Sequence, residues 1–569
     1  MPHLRRRAAA ALIAAALATA APAQDNVAGS YLAGRHAQKV NDYDAAATYL
    51  TRAMMRDRQN PALIEGTLSA YLALGDVERA ATVADRLIQT GASSAVANMV
   101  LIGREAKRED WDALLSDLEA GQSVGPLFDA LIEGWALMGA GRTEDAEAAF
   151  DTLAQKPGLK AFALYHKALA QAADGRIAEA EATLAAEPDL RLSRRGTVAR
   201  AEFLSQLDRN ADAQALMDDS FGPGIDGILR RIEERLAAGE TLEVTIAPTP
   251  ADGVGEVFFS LANALQGEAS PSYTLLYGRM TEYLRPDNIE NVMLTASLLD
   301  ELEQYDLAIQ TYRKVPRSSP AFDAAELGRA EVMRKDGQED AAIEVMRQLA
   351  RLRPDEAMIQ VTLGDALREM DRHAEALEPY DAAVALFEED AAGQWIVYFA
   401  RGISHERTDN WDEAEADFRK ALELNPDQPQ VLNYLGYSYV EKRINLDEAL
   451  DMIERAVAAR PDSGYITDSL GWVLYRLGRY EEAVAPMEKA VELMPVDPVI
   501  NDHLGDVYWA VGRELEARFQ WKRALSFIDH DASGEADPDR IRRKLEVGLD
   551  KVLEEEGAAP LEVATDDGG

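Results

Sequence analysis

The sequence predicts an all-α fold, an α-α superhelical solenoid of about fourteen helix hairpins in two segments. Three observations predict it. A small residue recurs at a spacing close to 34, at Ala262, Ala296, Ala330, Gly364, Gly402, Gly436, Gly471 and Gly505, and the series extends back through Gly34, Leu68, Ile102, Gly134, Ala168 and Ala201. An alanine follows most of these markers twelve residues later, among them Ala46, Ala80, Ala146, Ala308, Ala376, Ala414, Ala483 and Ala517, and an inserted residue moves one to Ala449. Pro320, Pro354, Pro426, Pro461 and Pro495 close their units, where proline stops a helix. Recurrence at fixed spacing marks architecture: one hairpin cannot bury its apolar face alone, and stacking supplies the core.

The elements follow in order. Arg5, Arg6 and Arg7, an apolar run over 8–20 and Ala21-Pro22-Ala23 read as a cleavable signal peptide over 1–23, with export to the periplasm. The run is too short to span a bilayer. A first repeat solenoid covers 24–217. From Ala201 to Ala262 the interval is 61 residues, and the excess holds SFGPGIDG and LEVTIAPTPADG. This Gly- and Pro-rich stretch, 218–254, reads as a linker between the solenoid segments, with a short helix over 225–238 and a β-like run. The second solenoid covers 255–530. Its type unit is a helix over 465–477, a turn at Gly478-Arg479 and a helix over 480–493. Gly471 and Ala483 are expected to let the two backbones approach, while Leu470, Leu474, Val484 and Met487 fill the spaces. Pro379 and Pro486 fall inside second helices, where they are expected to introduce kinks. A capping helix over 531–553 and an acidic disordered tail over 554–569 end the chain.

Composition limits the function. Of 569 residues, 100 are Asp or Glu and 59 are Lys or Arg, a net charge of -41. Such a surface repels phosphate backbones and anionic lipid, so neither nucleic acid nor direct membrane insertion is expected. Without cysteine there is no disulfide, thiolate metal site, Cys nucleophile or acylated Cys. The seven histidines form no ligand cluster. His503 shares a helix with Asp502 and Asp506, but a closed metal site needs three or four converging ligands, and these three read as a polar groove face. No nucleophile elbow, phosphate-binding loop or dinucleotide fingerprint occurs. No catalytic residue, metal or cofactor is therefore expected, and the chain is not read as an enzyme.

The Leu-Gly pair of the first helix, the alanines of the second and the closing proline together resemble the tetratricopeptide repeat family over about 27–527. The five C-terminal units, with VLNYLGYSYVEKRINLDEALDMIERAVAARP, DSLGWVLYRLGRYEEAV and DHLGDVYWAVGRELEARFQWKRAL, are similar to the end of bacterial envelope repeat lipoproteins. That group includes the adaptor partner of a periplasmic C-terminal processing protease, which brings it substrates such as peptidoglycan cross-link hydrolases. The resemblance implies a non-catalytic scaffold or adaptor. Its implied partners are an envelope protease, a wall hydrolase or assembly factors; the alternative is a structural assembly factor for outer-membrane, division or polysaccharide-export machinery. Lacking the acylated Cys of those lipoproteins, this chain is expected to be soluble in the periplasm or tethered through a partner.

In such arrays the first helices line a groove. Helical spacing puts Asn433, Tyr437, Asp468, Trp472, Tyr475, Arg476, Asp502, Asp506 and Trp509 there, an aromatic and acidic surface suited to an extended peptide. The alternative for Trp472 and Trp509 is packing between neighbouring helices. Chaperone-binding members grip a C-terminal carboxylate with Lys, Asn and Arg. The matching places here hold Asn433, Tyr437, Ser469, Val499 and His503 without a lysine, which does not support a carboxylate clamp.

Overall fold

One residue turns each hairpin. The computed structural model describes residues 27–187, 190–222, 226–387, 393–528, 536–558 and 561, and among them are 31 helices and no strand. Seven residues past the marker the backbone is left-handed, at Gly75, Gly141, Gly175, Gly337, Gly478 and Gly512, and equally at Asn41, Glu109, Asp208, Glu303, Asp371, Asp409 and Arg443. A left-handed residue ends a helix by turning the following amides back onto its last carbonyls. Gly478 N–H donates to the Tyr475 carbonyl and Arg479 N–H to that of Leu474. The helices Gly464–Arg476 and Tyr480–Leu493 result, the first displaced by one residue from expectation.

The marker is small for a different reason than close backbone approach. A Cβ on Gly471 would lie 2.5 Å from Met487 Cγ, one on Gly364 2.6 Å from the Tyr380 ring, and one on Gly402 2.7 Å from the Phe418 ring. In each case the intruding side chain sits sixteen residues on, and Gly134 with Phe150 and Gly505 with Trp521 follow the same rule. The glycine is a socket for one large side chain of the second helix. The alanines twelve residues on, including Ala46, Ala146, Ala308 and Ala483, are fully buried. At Leu68 the sizes are exchanged: the residue sixteen on is Ala84, and both are fully buried. Total volume is kept, which is what a packed core requires.

The chain divides into two compact units, Met1–Val345 and Met346–Gly569. The division falls within the helix Glu339–Leu352 and not at 218–254. That segment stays inside the first unit. Its helix is Gly227–Ala237, burying Leu229 and Leu236; Ile225 lies outside the described residues. The β-like run finds no ladder. Instead Leu242 N–H donates to Ser205 Oγ, Thr245 donates twice to Glu202, and Arg285 donates to the Thr245 and Ile246 carbonyls. Side chains thus satisfy the irregular backbone.

The hairpin around Ala262 also departs from expectation, although its spacing is in step. Its helices Pro250–Leu265 and Pro271–Leu284 pack against the first helices Pro61–Ala73, Ala95–Arg108, Pro126–Gly139 and Lys160–Ala173. Gly103 makes room for Met280, Gly253 for Trp135, and Phe128 meets Phe258 edge-on at 5.0 Å. Buried Arg279 donates to the Ala73 carbonyl at 2.9 Å. The first-helix face of this unit is filled from within.

In the second unit, first helices of successive hairpins touch one another from Ala357–Glu369 through Pro498–Ala510, with Gln394–Glu406 meeting Pro429–Lys442 through the Phe399 and Tyr434 rings at 5.6 Å. Pro379 and Pro486 lie inside the helices His373–Ala385 and Tyr480–Leu493, which continue through them. The expected single capping helix is two, Pro538–Val547 and Leu549–Glu555, separated at Gly548 where φ is 86°. The start of the expected tail is folded: Glu555 pairs with Arg543 and Glu556 with Arg540. Residues 562–569 lie outside the described residues, as does the 1–23 segment. Among the described residues, no helix is long and apolar enough to cross a membrane.

Candidate functional site

The residues expected to line an open groove lie on the first helices Pro429–Lys442, Gly464–Arg476 and Pro498–Ala510. Helical spacing gathers Asp468, Trp472, Tyr475 and Arg476 on one side of the middle helix. Trp472 is only 8% exposed. Its ring stacks between Tyr475 at 4.8 Å and His503 at 4.0 Å, its Nε1–H donates to Glu441 at 2.7 Å, and the Arg476 guanidinium lies 5.6 Å from its centroid. The neighbouring helix therefore uses the aromatic wall as packing.

Beneath the stack lies a buried ionic cluster. Asp468 and His503 Nδ1 pair at 3.0 Å. Burial works against the imidazolium, but the Asp468 charge and hydrogen bond, with the Asp502 and Asp506 charges, together raise His503 above its ordinary value. Asp506 accepts from Trp521 Nε1 at 2.9 Å and from Lys544 Nζ at 2.7 Å, and Lys544 reaches Asp502 at 2.8 Å. Lys544 has 0% exposure. Burial pushes the Asp502 carboxyl up, against the pull of Lys544. Burial also pushes the Tyr475 phenol well up, with the Asp506 charge acting in the same direction.

The expected groove residues thus divide. Asp468, Trp472, Tyr475 and Asp506 are buried, and do not line an open surface. The physical reason is twofold: His503 of the neighbouring helix stacks on Trp472 and pairs with Asp468, and the C-terminal helix Pro538–Val547 delivers an amine to Asp502 and Asp506. Asp502 joins the same cluster, and Trp509 donates to Asp550 at 2.9 Å, beside Gly548. Asn433, Tyr437 and Arg476 are half-buried.

A different set was missed. Six residues before the markers Gly364, Gly402 and Gly471 stand Met358, Ile396 and Tyr465, which are 69%, 51% and 57% exposed. Exposed Gln430 holds that place before Gly436, and half-buried Val499 before Gly505. Equal register puts these side chains on one face of the first-helix layer. The marker spacing reaches these positions, but periodicity alone does not distinguish an exposed large apolar side chain from a buried one. No group of three or more His, Cys, Asp or Glu placed to hold a metal occurs among the described residues.

Comparison with known proteins agrees with the repeat. A Tetratricopeptide repeat profile matches residues 31–95, 133–191, 293–357, 399–463 and 444–498, more than half of the chain, and a second profile of that description matches 355–427. The unmatched interval after 191 holds the irregular segment and the Ala262 hairpin. A TPR repeat-containing protein of Pseudomonas aeruginosa is 28% identical over 184 residues, 32% of this chain and 30% of the relative's length, so the chain matches under a third of that protein. Among solved structures, the APC/C hetero-tetramer Cut9-Hcn1 aligns over 92% of this chain and 96% of its own at 14% identity and a TM-score of 0.36. A tetratricopeptide repeat protein from Parabacteroides merdae aligns over 46% and 98% at 16% identity and a TM-score of 0.36.

Proposed function

Because the chain belongs to the tetratricopeptide repeat family, whose members act as protein-interaction scaffolds, we propose that it is a non-catalytic periplasmic adaptor that holds envelope proteins for a processing protease. The observation that carries the binding face is the row Met358, Ile396 and Tyr465, exposed although the hairpins beneath them have complete cores. Large apolar side chains at one register of three hairpins, with Gln430 between the second and third, suit an extended segment of a partner that meets an anchor on each of the three. Export rests on the arginines, apolar run and Ala-Pro-Ala of residues 1–23, and solubility there on the absence of a lipid-bearing cysteine.

The test is affinity capture from an envelope extract with the chain from residue 24, beside a Met358→Asp/Ile396→Asp/Tyr465→Asp variant. A protease or wall hydrolase should be captured by the first and lost by the second at unchanged helicity. Retention of the same protein by the folded variant would remove the row as the binding face. A stoichiometric partner with no protease or hydrolase would favour an assembly factor instead.

A further inference from the structure

Outside the row, the first unit carries a cleft of about 510 Å³, within the range of small-ligand and side-chain pockets. Its walls are apolar, formed by Phe162, Leu192, Phe259 and Ala264, with Ser260 and Asn263 among them. The floor is a saturated ion-pair network. Arg195 donates to both oxygens of buried Glu256, at 3.0 and 2.8 Å, and its guanidinium covers the Phe259 ring at 4.9 Å. Tyr165 donates to Glu256 at 2.8 Å, and Arg194 to Glu290 at 2.8 Å and Asp226 at 3.0 Å. These carboxylates are occupied and hold no charge for a ligand.

Arg191 is the exception. It is exposed, lines the same cleft, and is paired with no carboxylate among the described residues. In a chain of net charge -41 an uncompensated guanidinium beside apolar walls is a local inversion of sign. Asn263 donates one Nδ2 hydrogen to the Phe259 carbonyl at 3.1 Å, which orients Oδ1 as an acceptor for a peptide N–H.

We infer that this cleft anchors a partner peptide in which a large apolar side chain stands next to an acidic residue. The side chain fills the space between Phe162 and Phe259, and the neighbouring carboxylate takes Arg191. The inference rests on the scaffold reading and gives it a second, chemically distinct contact.

The test is titration of the full chain with the capped peptides acetyl-Asp-Phe-Asp-amide, acetyl-Asn-Phe-Asn-amide and acetyl-Asp-Ala-Asp-amide. The first should bind, the second about tenfold more weakly, and the third not at all. Arg191→Gln should make the first two peptides equal. Ala264→Trp, at an exposed position, should block both while leaving the fold intact. Equal binding of the first two peptides by the unmodified chain, or full affinity in Ala264→Trp, would overturn the pocket. So would an acid preference that survives Arg191→Gln. Partner capture that succeeds while no peptide binds overturns the pocket alone; peptide binding without partner capture supports the pocket and leaves the adaptor reading to fall separately.

Discussion

Glu303 occupies a backbone conformation that suits glycine. Its φ is 57°, at the turn position where Gly337 and Gly478 stand in other hairpins, and its side chain is exposed. A left-handed non-glycine residue costs on the order of 1 kcal/mol. Glu303→Gly should therefore raise stability by about 0.5–1 kcal/mol, a reversal of the usual penalty for glycine, measurable as a higher denaturant midpoint. A second residue sets a pH limit. Buried His166 accepts a hydrogen bond from Trp135 Nε1 at 3.0 Å, and burial lowers its pKa to about 3. The unfolded value lies near 6.5. The neutral ring's contribution is thus present above pH 6.5 and lost as pH falls towards 3, on the order of 5 kcal/mol in all. His166→Gln, which keeps an acceptor without a basic nitrogen, should move the acid-unfolding midpoint to lower pH. His503 has the opposite sign: raised by Asp468, it stabilises below pH 6.5 and ceases to do so as pH rises through its folded value.

At the scale of elements, the C-terminal helices lock the last hairpin through one amine. Removing Lys544 takes the amine from Asp502 and leaves Asp506 only Arg540, at 3.7 Å, as a cationic partner, so Lys544→Met should cost about 3 kcal/mol. Adding Asp502→Asn and Asp506→Asn should recover much of that loss, since the charges rather than the contact area cause it. Chemical denaturation of the single and triple variants measures both. This lock was not legible in the sequence. Asp502 and Asp506 share a helix face with Trp509, and that pattern serves a groove and a buried seam equally well; Lys544 stands some forty residues away, beyond any local periodicity. The hairpins were legible because a socket, an alanine and a turn residue recur together, and local sequence alone determines all three. The reason for the socket was not, since only the structure pairs Gly471 with Met487.

At the scale of the molecule, each unit puts its own first-helix layer to a different use. In the first unit it closes over the hairpin Pro250–Leu265 and Pro271–Leu284, whose register matches its neighbours and whose destination depends on contacts such as Arg279 with Ala73. Spacing along the chain carries no information about that. In the second unit the layer keeps Met358, Ile396 and Tyr465 exposed, and the account makes that face the partner's seat. The most direct measurement is site-specific photo-crosslinking in native cells, with a benzophenone side chain at position 396 or 465, and at Leu515 on the second helix Glu514–Ser526 as the comparison. Leu515 is the more exposed position, so accessibility alone favours it. The account predicts one common adduct from 396 and 465 and none from 515; adducts from 515 with none from the other two would contradict it.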